Sequence, residues 1–145
     1  MAIQYLSDAW GEEARKVMAT DPVVQRALGG LDLSLLVIIL DVPAGANGFI
    51  YAAFEGGELV DEAIGTDYDA ITRGRPKPTF VSSGSYDTFV AMQEGRLSER
   101  RALLKGELHL TGSMFKALRH MKALETLTAA LRRIDCQWAT PSPEM

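Results

Sequence analysis

Apolar positions recur every three or four residues at both ends of the chain and almost continuously or alternately in its middle, so helices are expected to flank strands. Ser7 reads as the cap of a helix over 7–18, with Asp8, Glu12 and Glu13 near its positive end. Asp21-Pro22 opens a second short helix, cap followed by first-turn proline, and Gly29-Gly30 stops it. The run Leu-Asp-Leu-Ser-Leu-Leu-Val-Ile-Ile-Leu over 31–40 is a strand buried on at least one face. Asn47-Gly48 is a hairpin signal leading to a strand over 49–54, and Gly56-Gly57 turns into a third over 58–64. The three form an antiparallel meander.

Arg-Gly-Arg-Pro-Lys-Pro at 73–78 must be a loop, because two prolines exclude helix and central strand. A fourth strand follows at 79–82, then helices over 86–94, capped by Ser85, and from Ser98 to Lys105. Residues 107–110 read as a fifth strand. One long helix then runs over 113–134, with an apolar stripe of Met114, Ala117, Leu118, Met121, Leu124, Leu127, Leu131 and Ile134. The expected fold is α+β, a mostly antiparallel sheet of about five strands covered by helices. It forms a single domain over 1–145, with its core at about 20–134 and a disordered tail at 139–145.

Composition narrows the function. Hydrophobic residues make up 47% and charged residues 23%, ordinary globular values. No apolar run approaches the ~20 residues that span a bilayer, and the N-terminus lacks the pattern of a signal peptide. With a lone Cys136 there is no internal disulfide, so a cytoplasmic setting is expected. The net charge of −4 argues against nucleic acid, yet it is unevenly spread: −9 over 1–70 and +5 over 71–145.

Candidate chemistry is sparse. His109 alternates with Leu108 and Leu110 and should face outward; His120 lies beside Arg119 on the polar side of the long helix. The serines around Gly84 do not form a nucleophile elbow, and capping explains Ser85. No phosphate-cradling loop occurs. Glu12/Glu13, Asp61/Glu62 and Asp67/Asp69 read as solubilising pairs rather than acid–base partners. Trp10 and Trp138, near the two ends, read as indoles folded over the domain edge, the alternative being a membrane-interface contact.

One segment is more specific. Lys-Pro-Thr-Phe-Val-Ser-Ser-Gly-Ser-Tyr-Asp-Thr-Phe-Val-Ala-Met-Gln-Glu-Gly-Arg-Leu-Ser (77–98) continues as Glu-Arg-Arg-Ala-Leu-Leu-Lys-Gly-Glu-Leu-His-Leu-Thr-Gly-Ser-Met (99–114). It resembles sterol-carrier-protein-2 domains: a strand, a polar cap, an aromatic early in the helix, a helix ending in Lys-Gly, then Leu-x-Leu-x-Gly and a Met opening the last helix. The resemblance covers about 76–121.

It implies an apolar cavity between sheet and helices that holds a fatty acid, acyl-CoA or sterol-like lipid without catalysis and without a cofactor or metal. The expected lining is Phe80, Phe89, Met92, Leu104, Leu108, Met114, Leu118 and Met121. Methionine suits such a cavity because it adapts to irregular shapes. Arg100, Arg101, Lys116, Arg119 and Lys122 form the expected surface for an anionic membrane or a partner. The alternative is an accessory subunit that shields a hydrophobic intermediate for a partner enzyme; a homodimer is left open.

Overall fold

The computed structural model describes residues 3–4, 7–42, 45, 47–112, 114–134 and 136–137; of residues 3–4, 114–115 and 136–137 it describes the backbone alone. Trp138, Ser113 and the tail at 139–145 lie outside the described residues.

The elements are β1 (Ile3–Gln4), α1 (Asp8–Thr20), α2 (Pro22–Leu28), β2 (Leu33–Leu40), β3 (Gly48–Glu55) and β4 (Glu58–Gly65). They continue as α3 (Tyr68–Thr72), β5 (Phe80–Ser85), α4 (Tyr86–Gln93), α5 (Glu99–Lys105), β6 (Leu108–Thr111), α6 (Met114–Leu131) and β7 (Cys136–Gln137). Local chemistry sets most boundaries. Ser7, Ser85 and Ser98 each accept from a backbone N–H three residues on, and Asp21 accepts from Val23 and Val24, satisfying first-turn donors that have no helical partner. Gly106 ends α5 in the left-handed conformation at φ 76°.

The main sheet has the order β4-β3-β2-β5-β6. Its β2–β3, β3–β4 and β5–β6 pairs are antiparallel and β2–β5 is parallel, so the sheet is mixed and mostly antiparallel. The parallel pair follows from the connection: α3 and the Pro76/Pro78 segment carry the chain back to start β5 beside the start of β2. A small parallel pair, β1–β7, joins the two ends of the described chain.

Three features depart from the sequence patterning. Asn47-Gly48 is not a two-residue turn, because β2 ends at Leu40 and the connection occupies 41–47. Helix α3 has no counterpart in the periodicity of the chain; Asp67, a solubilising acid by its pattern, is the cap of that helix, accepting from Asp69 and Ala70. The β1–β7 pair rests on contacts between distant segments that no local pattern encodes.

The continuous apolar run of β2 has a physical cause. As the middle strand, it sends Leu33 and Ile39 into the helical side and Leu36 into a second cluster with Phe49, Tyr51 and Ile71 of α3. Both faces are therefore covered. Helix α1 belongs to the packed structure: Trp10 and Ala14 are buried with Ile39, Tyr86 and Ile134, so the core includes residues before 20.

Candidate functional site

A cavity of about 210 Å³ lies between the sheet and the helices. Pairing register builds its floor. One row across the sheet runs Ile64, Ile50, Val37, Ser82, Leu110; the next runs Glu62, Ala52, Leu35, Phe80. Strand pairing brings directly opposite residues to the same face, so both rows point at the helices, and all nine residues line the cavity. Gly112 closes β6 at φ 121°, where a Cβ would stand 2.6 Å from the Thr79 carbonyl oxygen. The motif's glycine thus lets the edge strand end against β5.

Helices supply the roof. Helix α1 contributes Trp10, Ala14 and Met18; α4 contributes Phe89, Met92 and Gln93. Helix α6 contributes Ala117, Met121, Leu124, Leu127, Thr128 and Leu131. Helix α6 is held at its far end by an Arg133–Asp21 ion pair to the α2 cap and by Arg132 Nε, which donates to the Met92 carbonyl at 3.4 Å.

Five of the eight residues expected from sequence line this space: Phe80, Phe89, Met92, Leu108 and Met121. Leu104 and Leu118 do not; they are 83% and 57% exposed. Leu118 fits the three-to-four spacing of its stripe, but α6 packs through small residues such as Ala117 and Ala130, which turns Leu118 outward; Leu104 lies on the outer side of the short α5, whose buried residue is Ala102. Met114 opens α6, and its side chain lies outside the described residues. Arg100, Arg101, Lys116, Arg119 and Lys122 are all exposed, on α5 and α6. Arg100 faces Glu125 at 3.9 Å. His109 is exposed on β6, and Ser85 is occupied as the α4 cap.

Sequence reasoning missed the cavity's polar fringe. Glu62 borders it on β4 and is paired with Arg15 of α1, whose Nε donates to Oε1 at 2.8 Å. At the opposite end of the sheet's helical side stand Gln93, Glu99 and Thr128. Gln93 is 6% exposed, and neither its Nε2 nor Glu99 Oε1 has a hydrogen-bond partner. Burial pushes the Glu99 carboxyl above its ordinary value; Thr128 and Arg132 oppose this, and the Glu125 charge adds to it. In sequence, Glu99 reads as an ordinary first-turn acid. Only the packing of α5 against α6 turns it inward.

Apart from Ser82 and the Trp10 indole, the rest of the lining is carbon. Such a space attracts an apolar molecule. Among the described residues no helix is long and apolar enough to cross a membrane.

No protein-family model matches the chain, and no curated protein matches it. Solved structures do. A crystal structure of sterol carrier protein 2 superposes with a TM-score of 0.74 at 18% identity, covering 90% of this chain and 99% of that one. A conserved hypothetical protein from Thermus thermophilus gives 0.72 at 18% identity, over 94% and 93%. The palmitated SCP2L2 from Aedes aegypti gives 0.53 at 15% identity, over 79% and 90%. The chain has the fold of sterol carrier protein 2.

Proposed function

We propose that this chain is a non-catalytic carrier that holds an apolar ligand between its sheet and its helices. The observation that carries the reading is the mostly apolar cavity, formed by two register rows of the sheet and the inner faces of α1, α4 and α6. The fold shared with the palmitated Aedes aegypti protein supports a lipid as the ligand class.

Magnitudes bound the ligand. An apolar cavity of about 150 Å³ accepts benzene, so 210 Å³ has room for about eight carbons. Eight methylenes are worth ~6 kcal/mol of transfer free energy at ~0.8 kcal/mol each, before association costs. Short chains should therefore bind weakly and exchange freely. Longer chains need the lining to move, and Met18, Met92 and Met121, unbranched and adaptable, are the residues that can yield.

Unloading is assigned to the outer face of α5 and α6. There Leu104 and Leu118 stand exposed on the helices that carry Arg100, Arg101, Lys105, Lys116, Arg119 and Lys122. Apolar anchors among basic residues suit an anionic bilayer.

Native mass spectrometry of the chain purified from cells tests the reading. A co-purified lipid at one per chain supports it; a chain that stays empty after incubation with fatty acids, fatty alcohols and sterols overturns it.

A further inference from the structure

Among the described residues, Gln93 and Glu99 bring to the lining of the cavity a donor and an acceptor without hydrogen-bond partners, and a single chemical group answers both. Gln93 Nε2 is buried with no acceptor, and Glu99 Oε1 is buried with no donor. Both residues line the same otherwise apolar space. They lie at the same end of it. Gln93 closes α4, Glu99 opens α5, and α6 packs over both: Arg132 reaches the Met92 carbonyl, and Thr128 stands at the Glu99 carboxyl. Buried polar atoms are almost always paired in folded proteins. Two orphans on residues that line one cavity therefore point to a ligand atom that pairs them.

We propose that Gln93 and Glu99 form the head-group site of the cavity and select an apolar molecule bearing one uncharged hydroxyl. Gln93 Nε2 donates to the hydroxyl oxygen, and the hydroxyl proton is donated to Glu99 Oε1. This rests on the carrier reading and deepens it by naming the ligand's polar end. A hydroxyl is both acceptor and donor, so it completes the pair at once. An ether can satisfy Gln93 but not Glu99. A free carboxylate brings a negative charge beside the carboxyls of Glu99 and Glu125 in a site that already disfavours charge, and Arg132 is the only cation acting on Glu99 there among the described residues.

Calorimetric titration of the full chain at pH 7 with 1-octanol, 1-methoxyoctane and octanoate tests this, the eight-carbon chain matching the cavity. Octanol should bind at least tenfold tighter than either of the others. Gln93→Met and Glu99→Met, which keep side-chain length, should each bring octanol to within about threefold of the ether without weakening the ether. Equal binding of octanol and methoxyoctane, or a preference that survives both substitutions, overturns the head-group site and leaves the carrier reading standing. Failure of all three probes to bind the wild-type chain overturns both.

Discussion

Arg15 and Glu62 join helix α1 to the edge strand β4, with the guanidinium Nε donating to the carboxylate at 2.8 Å beside the cavity. The arginine is 61% exposed and the glutamate 14%. Solvent screens the cation, whereas the carboxylate depends on its partner. Arg15→Ala should therefore lower stability by about 1 kcal/mol, the upper end for partly exposed pairs. Glu62→Gln should cost less, because it removes the less solvated charge. Urea unfolding of both variants checks the asymmetry; equal and negligible effects would remove this pair as a clasp of the cavity wall.

The opposite end makes a prediction about pH. Below pH 4.5, the ordinary value for a glutamate, folded and unfolded chains both hold the Glu99 proton. As pH rises the unfolded chain releases it first, since burial holds the folded carboxyl's pKa higher. Stability attributable to Glu99 should fall from pH 4.5 upward and level off once pH passes the folded value. Glu99→Gln, uncharged throughout, should lack this fall. The groups facing Glu99, namely Thr128, Glu125 with its partner Arg100, and Arg132, are common to both proteins and cancel in the comparison. Asp61 acts in the other direction: held low by Arg75, it withdraws stability as pH falls below 3.8. A wild-type-minus-variant stability difference that is flat from pH 4 to 8 would contradict the buried assignment of Glu99.

Much of this arrangement is legible in the sequence because it is set locally. Ser85, Ser98 and Asp21 cap where their side chains and the following helical periodicity say they should. The Leu-x-Leu-x-Gly strand, with Leu108 and Leu110 inward and His109 outward, follows from the two-residue period. What stayed hidden depends on distant segments. The parallel β2–β5 pair needs a return connection that places Phe80 opposite Leu35, and nothing within either strand specifies it. Trp10 reads as an edge residue until α1 is laid across the sheet, where it becomes cavity wall. Leu118 and Glu99 mislead in opposite senses: an apolar residue turned out and an acid turned in, each by the rotation of a helix against its neighbour.

The outward leucines give a test of unloading. Leu104→Ser with Leu118→Ser should change stability by no more than about 0.5 kcal/mol each, as for surface positions. Ligand affinity should hold, while transfer of a bound fluorescent lipid to anionic vesicles slows several-fold. Arg100→Glu with Arg101→Glu should slow it too. At about 1 M salt, where the Debye length is about 3 Å, the advantage of anionic over neutral vesicles should vanish. Transfer rates indifferent to vesicle charge, salt and both pairs of substitutions would assign unloading to free diffusion through water.

The carrier account turns on whether the space over Ala52 is where a ligand sits. Ala52 lies between Glu62 and Leu35 on the cavity floor, and Ala52→Leu adds three carbons to that space. Cavity filling of this kind usually leaves the fold intact and can add about 0.5–2 kcal/mol of stability. Calorimetric titration of wild type and Ala52→Leu with a medium-chain fatty alcohol is the direct measurement. The account predicts saturable binding of one ligand per wild-type chain with a negative heat-capacity change, and at least a tenfold loss in a variant that is as stable as wild type or more so. Undiminished binding in a folded Ala52→Leu chain, or no saturable binding in the wild type, would contradict it.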